Sequence, residues 1–316
     1  MPSVALATCR AFPGLDDEDR LAIPALAALG ITGVPAVWDD PGIDWSAFDA
    51  VVLRETWDYV DARDAFLAWL EQVDAVTRML NPPAVVRWNT DKRYLRVLAD
   101  AGVPTVPTAF IEPGDGAAGW APPAGCHDFV VKPAVSAGSR DTVRYATDGD
   151  LRAAREHARR LVADGRTVMV QPYLDAVDTE GETALLFLGG EFSHAIRKGA
   201  LLERGVVGAK VGGLFVQEQI GPRDATPAHM AVAEAALAAV PGGPGALLYA
   251  RVDLIPDATG APMLLELELA EPSLFLSHAP GSADRLARAV AARLGAGRRS
   301  PGLCPGDEDR DRVTAS

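Results

Sequence analysis

Two apolar runs, Leu247 to Ile255 and Met263 to Leu269, flank a turn marked by Asp257, Gly260 and Pro262, a pattern that predicts a β-hairpin. This hairpin constrains the rest of the chain because three carboxylates, Asp253, Glu266 and Glu268, sit inside its otherwise aliphatic strands. Glu266 and Glu268 are two residues apart and share one face of their strand, as Arg251 and Asp253 share one face of the other. Burying several like charges is costly unless something positive neutralises them. A hard cation does this for clustered oxygens, and magnesium bound through carboxylates commonly holds nucleotide phosphates as well. The competing reading treats L-E-L-E-L as plain strand alternation with its glutamates in water. The hairpin alone leaves both open.

Composition narrows the partners. Forty-three acids against thirty Lys and Arg give a net charge of -13, which argues against sequence-independent binding to nucleic acid or to an anionic membrane. A small molecule is the expected partner. The opening MPSVALATCR has no basic n-region and no long apolar core, so it does not read as a signal peptide, and no apolar run approaches membrane-spanning length. Cys9, Cys126 and Cys304 fit neither a disulfide framework nor a zinc site, which points to a reducing cytoplasm. Cys9 reads as a small buried hydrophobe. A homo-oligomer stays open, since no heptad or exposed apolar stripe stands out. The 316 residues suffice for two or three compact units.

Residues 1 to about 85 alternate strand and helix signals: strands at Val4–Thr8, Gly33–Trp38, Ala50–Arg54 and Arg78–Leu80, and helices beginning near Asp16 and spanning Arg63–Val76. Such βαβ alternation predicts a small parallel sheet covered by helices. No G-x-G-x-x-G follows the first strand, so a dinucleotide fold is not supported. Arg54, Trp57, Asp58 and Tyr59 leave the carboxyl end of the third strand, where open α/β sheets gather ligands, and could hold a zwitterionic substrate. Asp58 or Asp61 capping the next helix, with Trp57 packed on it, explains the same residues.

Asn89-Thr90-Asp91-Lys92 predicts the start of a helix reaching about Asp100, with Asn89 or Thr90 as its cap. A strand at Val106–Ile111 follows, then Phe129-Val130-Val131-Lys132-Pro133 and the small-residue loop Ser136 to Thr142. Such a loop lets backbone N–H groups approach phosphates while Lys132 supplies a point charge, although it lacks the P-loop pattern. The arginines of the helix Leu151–Ala163 read as a solvated face. Beyond the buried strand Val168–Leu174 come an acidic loop, Asp175 to Glu182, and two strands around Gly189-Gly190 that end in Arg197-Lys198. Gly205 to Gly213 reads as a mobile loop. Helices at Ala228–Ala239 and Ala283–Leu294 bracket the hairpin, and the chain after Gly295 reads as disordered.

Taken in order, Lys92, Lys132 with its Ser/Gly loop, Gln171-Pro-Tyr-Leu, Gly181-Glu182, Arg197-Lys198, Arg251-x-Asp253 and Glu266-x-Glu268 resemble the ATP-grasp ligases, D-alanine-D-alanine ligase and glutathione synthetase among them. The segments L-R-E-T-W-D-Y and L-E-L-E-L-A-E-P-S-L-F-L look closest to the O-ureido-D-serine cyclo-ligase branch of D-cycloserine biosynthesis. The resemblance implies an α/β ATP-grasp fold: an N-terminal parallel-sheet domain (1–90), a lid (91–171), a C-terminal metal-binding sheet domain (172–296) and a disordered tail (297–316). It implies ATP, with magnesium or manganese, between lid and C-terminal domain. Lys92, Lys132, Ser136, Gly138 and Ser139 would meet the phosphates. Gln171, Tyr173 and Leu174 would hold adenine, the last two through main chain, and Glu182 the ribose. Asp253, Glu266 and Glu268 would bind metal, while Arg251, Arg197 and Lys198 would steady the transferring phosphoryl group. Arg54, Trp57, Asp58, Tyr59 and Ser273 would face a small amino-acid-like substrate. Two departures from the family pattern are Glu268 in place of a common asparagine and Ser273 in place of a common glycine.

The activity so implied is an ATP-dependent ligase that activates a carboxylate as an acyl-phosphate and lets an amine attack it. Such chemistry needs positioning and charge neutralisation more than a protein nucleophile. The rival expectation is a non-catalytic nucleotide-binding regulatory module on the same fold.

Overall fold

The computed structural model describes residues 1–114, 120–202, 204, 210–211, 215–216 and 219–296. The first unit is built from β1 (Ser3–Thr8), α1 (Ala22–Ala28), β2 (Thr32–Val37), β3 (Ala50–Glu55), α2 (Arg63–Asp74) and β4 (Arg78–Leu80). Its four strands are parallel in the order β2-β1-β3-β4. Alternation decides which helix each strand residue meets: Val4 and Leu6 pack in the α1 core, Ala5 and Ala7 in the α2 core. Burial on both faces explains why every residue of β3 is inside, charged ones included.

Where one helix was expected from Asn89 onward, two occur: α3 (Pro83–Asn89), with proline at its first turn, and α4 (Tyr94–Asp100). Asn89 therefore ends a helix instead of capping one. The break places the Lys92 N–H against the Ala134 carbonyl at 2.9 Å. A second sheet follows, from β5 (Ala109–Ile111), β6 (Asp128–Pro133), β7 (Val143–Ala146) and β8 (Val168–Pro172), antiparallel in the order β5-β8-β6-β7. The expected strand from Val106 is shortened because the Val106 N–H donates to the Leu264 carbonyl of the hairpin instead. Helix α5 (Arg152–Ala163) buries Ala154, Ala158 and Leu161 on this sheet and turns Arg152, Arg155, Arg159 and Arg160 to water, as its pattern predicts.

The acidic stretch expected as a loop contains α6 (Ala176–Glu180). Strands β9 (Glu182–Leu188), β10 (Glu191–Lys198), β11 (Lys210–Val211), β12 (Phe215–Val216) and β13 (Ile220–Pro222) precede α7 (Pro227–Ala238), and the hairpin is β14 (Tyr249–Pro256) with β15 (Pro262–Glu268). The large antiparallel sheet runs β13-β10-β9-β14-β15, and α8 (Ser282–Ala296) packs beside α1 in a core shared with the first unit. Within Gly205 to Gly213, expected as a mobile loop, Lys210–Val211 pairs with Phe215–Val216; its other residues, like the tail 297–316, lie outside those described. Among the described residues no helix is long and apolar enough to cross a membrane.

The outer edge of β15 is paired at Leu264 by the backbone of Pro104 and Val106, and farther along by side chains. Asn89 donates to the Leu267 carbonyl and accepts from the Leu269 N–H, both at 2.7 Å, and the Tyr94 hydroxyl bonds the Leu267 carbonyl and N–H at 2.8 and 2.9 Å. Asn81 likewise donates to the carbonyls of Tyr249 and Leu269. Leaving these backbone groups unpaired would expose a sticky strand edge. The same bonds fix the twist and depth of the hairpin, and so the direction in which Glu266 and Glu268 point.

Candidate active site

A cavity of about 370 Å³ opens between the two antiparallel sheets and reaches the first unit. Its inner end is apolar: Val106, Val130, Tyr173, Ile255 and Leu265 form one cluster and line it. Gln171, Leu174 and Glu182 line the same end. Gln171 Nε2 donates to Thr108 Oγ1 at 2.8 Å, so its amide is held by protein. The Tyr173 N–H is likewise taken, by the Asp128 carbonyl at 2.9 Å. The Tyr173 ring lies under the Arg144 guanidinium at 3.5 Å. An apolar slot of this kind suits a flat aromatic base.

The middle of the cavity is dense with charge. Lys92 Nζ lies 3.0 Å from Glu266 Oε1 and donates to the Ser136 carbonyl. Lys198 Nζ lies 3.1 Å from Asp253 Oδ2 and 3.3 Å from Glu182. Arg251 Nε donates to Asp253 at 2.9 Å, and Arg251 also bonds Glu268 and, through Nη1, the Ser273 carbonyl at 3.2 Å. Lys132 lines the cavity without an ion-pair partner among the described residues. Burial lowers its pKa, against the pull of Glu266, so an anionic group such as phosphate would be favourable beside it. The loop carrying Ser136, Gly138 and Ser139 lines the cavity, with positive φ at Gly138, Ser139 and Asp141. It is tied back by Arg166 to Asp141 and by Arg140 to Asp61 of the first unit, at 2.6 and 2.7 Å.

The hairpin register sets Asp253 opposite Glu266 and Arg251 opposite Glu268. The solvent-face reading of L-E-L-E-L is thereby overturned: both glutamates line the cavity. The three acids do not converge as a trio, however; among the described residues the acids whose oxygens meet within 4.8 Å are Asp16, Asp19 and Glu55. Protein cations hold the hairpin acids instead: Lys92 holds Glu266, Lys198 and Arg251 hold Asp253, and Arg251 also holds Glu268. Burial works to raise the Asp253 carboxyl, but Arg251 and Lys198 outweigh it and hold it below the usual range. Burial pushes Glu268 up to about 8 against the pull of Arg251, with Glu266 and Asp253 adding to the rise. Glu268, protonated at neutral pH with its carboxyl at about 8, would give up that proton on binding a divalent cation, and the oxygen donors of Asp253, Glu266 and Glu268 fit a hard one.

The outer end faces the first unit and carries Trp57, Tyr59, Glu271, Ser273, Phe275 and His278, with Asp16 and Glu18 at its rim. Trp57 Nε1 donates to the Glu271 carbonyl at 3.0 Å, and the Tyr59 hydroxyl bonds the Glu271 side chain. Four expected site residues are absent from the lining: Asp253 lies 1% exposed behind its bonds to Arg251 and Lys198, and Arg54, Asp58 and Arg197 lie elsewhere. Arg54 is 1% exposed, paired with buried Asp19 at 3.0 Å and bonded to the Pro272 carbonyl at 2.7 Å; it supports the cavity floor from below. Asp58 accepts from Trp38 Nε1 at 2.7 Å, so it neither lines the cavity nor caps a helix. Arg197 donates to the carbonyls of Glu180 and Thr179, on the far face of β10 from Lys198. Sequence reasoning missed Glu271, which lies in the E-P-S end of the quoted hairpin segment, and the apolar residues Val106, Val130, Ile255 and Leu265. The latter carry no signal that separates a ligand slot from an ordinary strand core.

Comparison with known proteins gives a consistent picture. Residues 4–81 match the model of the D-cycloserine synthetase DcsG N-terminal domain. The chain is 41% identical over 303 residues to the cycloserine biosynthesis protein DcsG of Streptomyces lavendulae, covering 93% of this chain and 99% of the relative. The crystal structure of D-cycloserine synthetase DcsG superposes with a TM-score of 0.82 at 40% identity, covering 92% of this chain and 99% of that one. The ATP-grasp ligase PsnB complexed with minimal precursor phosphomimetic variant, Mg and ADP is similar in fold, with a TM-score of 0.57 at 20% identity over 93% of this chain and 99% of that one.

Proposed function

The chain belongs to the D-cycloserine synthetase family of ATP-grasp ligases and is an ATP-dependent ligase, and from that premise we propose that it activates the carboxylate of O-ureido-D-serine and closes a ring upon it. The observation that supports this most directly is the division of the cavity: an apolar slot, a cationic middle and an acidic, aromatic outer end. In this reading residues 1–90 carry the substrate wall, 91–171 the lid and 172–296 the metal hairpin.

Lys92 and Lys132 neutralise the phosphates of ATP, and the Ser136 to Ser139 loop covers them. Gln171 and Leu174, with the apolar slot, hold the adenine, and Glu182 takes the ribose hydroxyls. The substrate carboxylate lies beside Arg251 and Lys198, which offset the charge that develops as its oxygen attacks the terminal phosphoryl group. Asp253, Glu266 and Glu268 would hold magnesium, whose charge favours in-line transfer when it is bound. Ser273, Trp57 and Tyr59 orient the amino-acid portion against the acyl carbon. The non-catalytic module gives way to the ligase, since Lys92, Lys132, Lys198, Arg251, Glu266 and Glu268 line one cavity and Asp253 is bonded to two of them.

The test is ADP and product formation from ATP, magnesium and O-ureido-D-serine, with and without chelator. ADP release that depends on both the substrate and the metal, together with a cyclised product, is expected. ADP release with pairs of free amino acids, and none with O-ureido-D-serine, would replace the cyclo-ligase by an intermolecular ligase.

A further inference from the structure

Four glutamates reach the cavity from the large sheet and the segment after it, and three of them are held by protein cations: Glu182 by Lys198, Glu266 by Lys92 and Glu268 by Arg251. Glu271 is the exception, with no lysine or arginine in ion-pair contact among the described residues. Its side chain is bonded by the Tyr59 hydroxyl, and its carbonyl accepts from Trp57 Nε1 at 3.0 Å. The next residue is fixed too, because Arg54 Nη2 donates to the Pro272 carbonyl at 2.7 Å. Glu271 is therefore a carboxylate anchored on both sides by the first unit, at the substrate end of the cavity, and not committed to a cation.

We propose that Glu271 is the base that takes the proton from the attacking nitrogen in the ring-closing half of the reaction. This rests on the acyl-phosphate reading given above. The nitrogen lone pair forms the new C–N bond at the acyl carbon. The bond from that carbon to the phosphate oxygen breaks, its electrons leave on inorganic phosphate, and the N–H proton passes to the Glu271 carboxylate. The ring nitrogen then still carries the carbamoyl group of the ureido substrate, which leaves as isocyanic acid as one of its N–H protons moves to the ring nitrogen. Glu266, Glu268 and Glu182 are each in ion-pair contact with a protein cation, so Glu271 is the glutamate of this group whose carboxylate is not so engaged among the described residues.

The surroundings of Glu271 suit the role. Burial raises its carboxyl to about 7; Lys92 pulls it down, Glu266 pushes it up, and the Tyr59 bond and Arg251 pull it down. Glu268 faces the same Tyr59 hydroxyl. A base whose pKa lies near the working pH combines a useful deprotonated fraction with real proton affinity.

The test uses the full chain as Glu271→Gln with ATP, magnesium and O-ureido-D-serine, trapping acyl-phosphate with hydroxylamine and counting cyclised product by mass spectrometry. The expected result is hydroxamate at close to the wild-type rate and product reduced roughly 100-fold. The wild-type product rate should rise with pH through about 7, as the carboxyl ionises, and the variant should lose that limb. Wild-type product formation with an unchanged pH profile would overturn the proposal, and so would a parallel loss of hydroxamate and product, the mark of a binding role. If Glu271→Gln melts early, Glu271→Asp carries the test: it keeps the acid, and its hydroxamate-to-product ratio must rise above wild type. A wild-type enzyme that yields product but no hydroxamate removes the acyl-phosphate reading itself, and the role of Glu271 with it.

Discussion

Arg54 and Arg251 each sit in a strand among carboxylates, and the two clusters behave oppositely. Arg54 pairs with Asp19 at 3.0 Å beneath the Tyr249 ring, whose centroid is 5.1 Å away, and Glu55 and Asp16 complete the group. One guanidinium cannot balance three acids, and protons make up the difference. Burial first, and then Asp19, push Glu55 up to about 9, which leaves it protonated at neutral pH. Arg251 also meets its acids at short range, but its cluster opens into the cavity and shares Asp253 with Lys198. The comparison teaches that a cluster whose Arg54, Asp19 and Glu55 are sealed, with Asp16 reaching the cavity rim, settles its charge internally and becomes part of the frame. An open one keeps charge that a ligand can complete.

Removing one partner from each cluster should therefore give different phenotypes. The largest effect is expected for Arg54→Ala, which leaves Asp19 buried and unpaired: roughly 3–5 kcal/mol of stability lost in chemical denaturation, with the Michaelis constant for ATP in the surviving folded enzyme near wild type. An unchanged denaturation midpoint would erase the distinction between the clusters. Next comes Glu266→Gln, which keeps volume and removes a ligand charge. Outer-shell partners of metals already cost about 10–100-fold, so turnover should fall about 100-fold or more, while the melting temperature stays put; near-normal ADP release at ordinary magnesium would end the metal assignment. The smallest is Lys132→Ala, expected to weaken ATP binding about 10-fold, or ~1.4 kcal/mol. Calorimetry giving the wild-type affinity would return Lys132 to an ordinary strand surface.

The elements themselves were largely legible, because period-2 and period-3.6 patterns are local and burial on one or two faces enforces them. The hairpin, the parallel first sheet and α5 follow the sequence closely. The failures are places where a distant group competes for local signals. Asn89 has the chemistry of a helix cap, yet its amide serves the edge of β15, 178 residues away in the bond to Leu267. Val106 has strand propensity, but its N–H is claimed by Leu264. Arg54, Asp58 and Arg197 stand in charged, ligand-like contexts, and only contacts with Asp19, Trp38 and Glu180 reveal that their polar groups are already used.

What the sequence determined by itself is the inventory and the order: three acids and an arginine on one hairpin, lysines at Lys92, Lys132 and Lys198, a small-residue loop, and a fold that strings them together. These are properties of residue type and spacing, which a chain carries in any conformation. Only the tertiary structure decided which charges face a cavity and which are sealed, why Glu271 has no cation in ion-pair contact among the described residues, and where an apolar wall becomes a slot. The free energy of a buried charge depends on what surrounds it within a few ångströms in every direction, and most of those neighbours are far away along the chain.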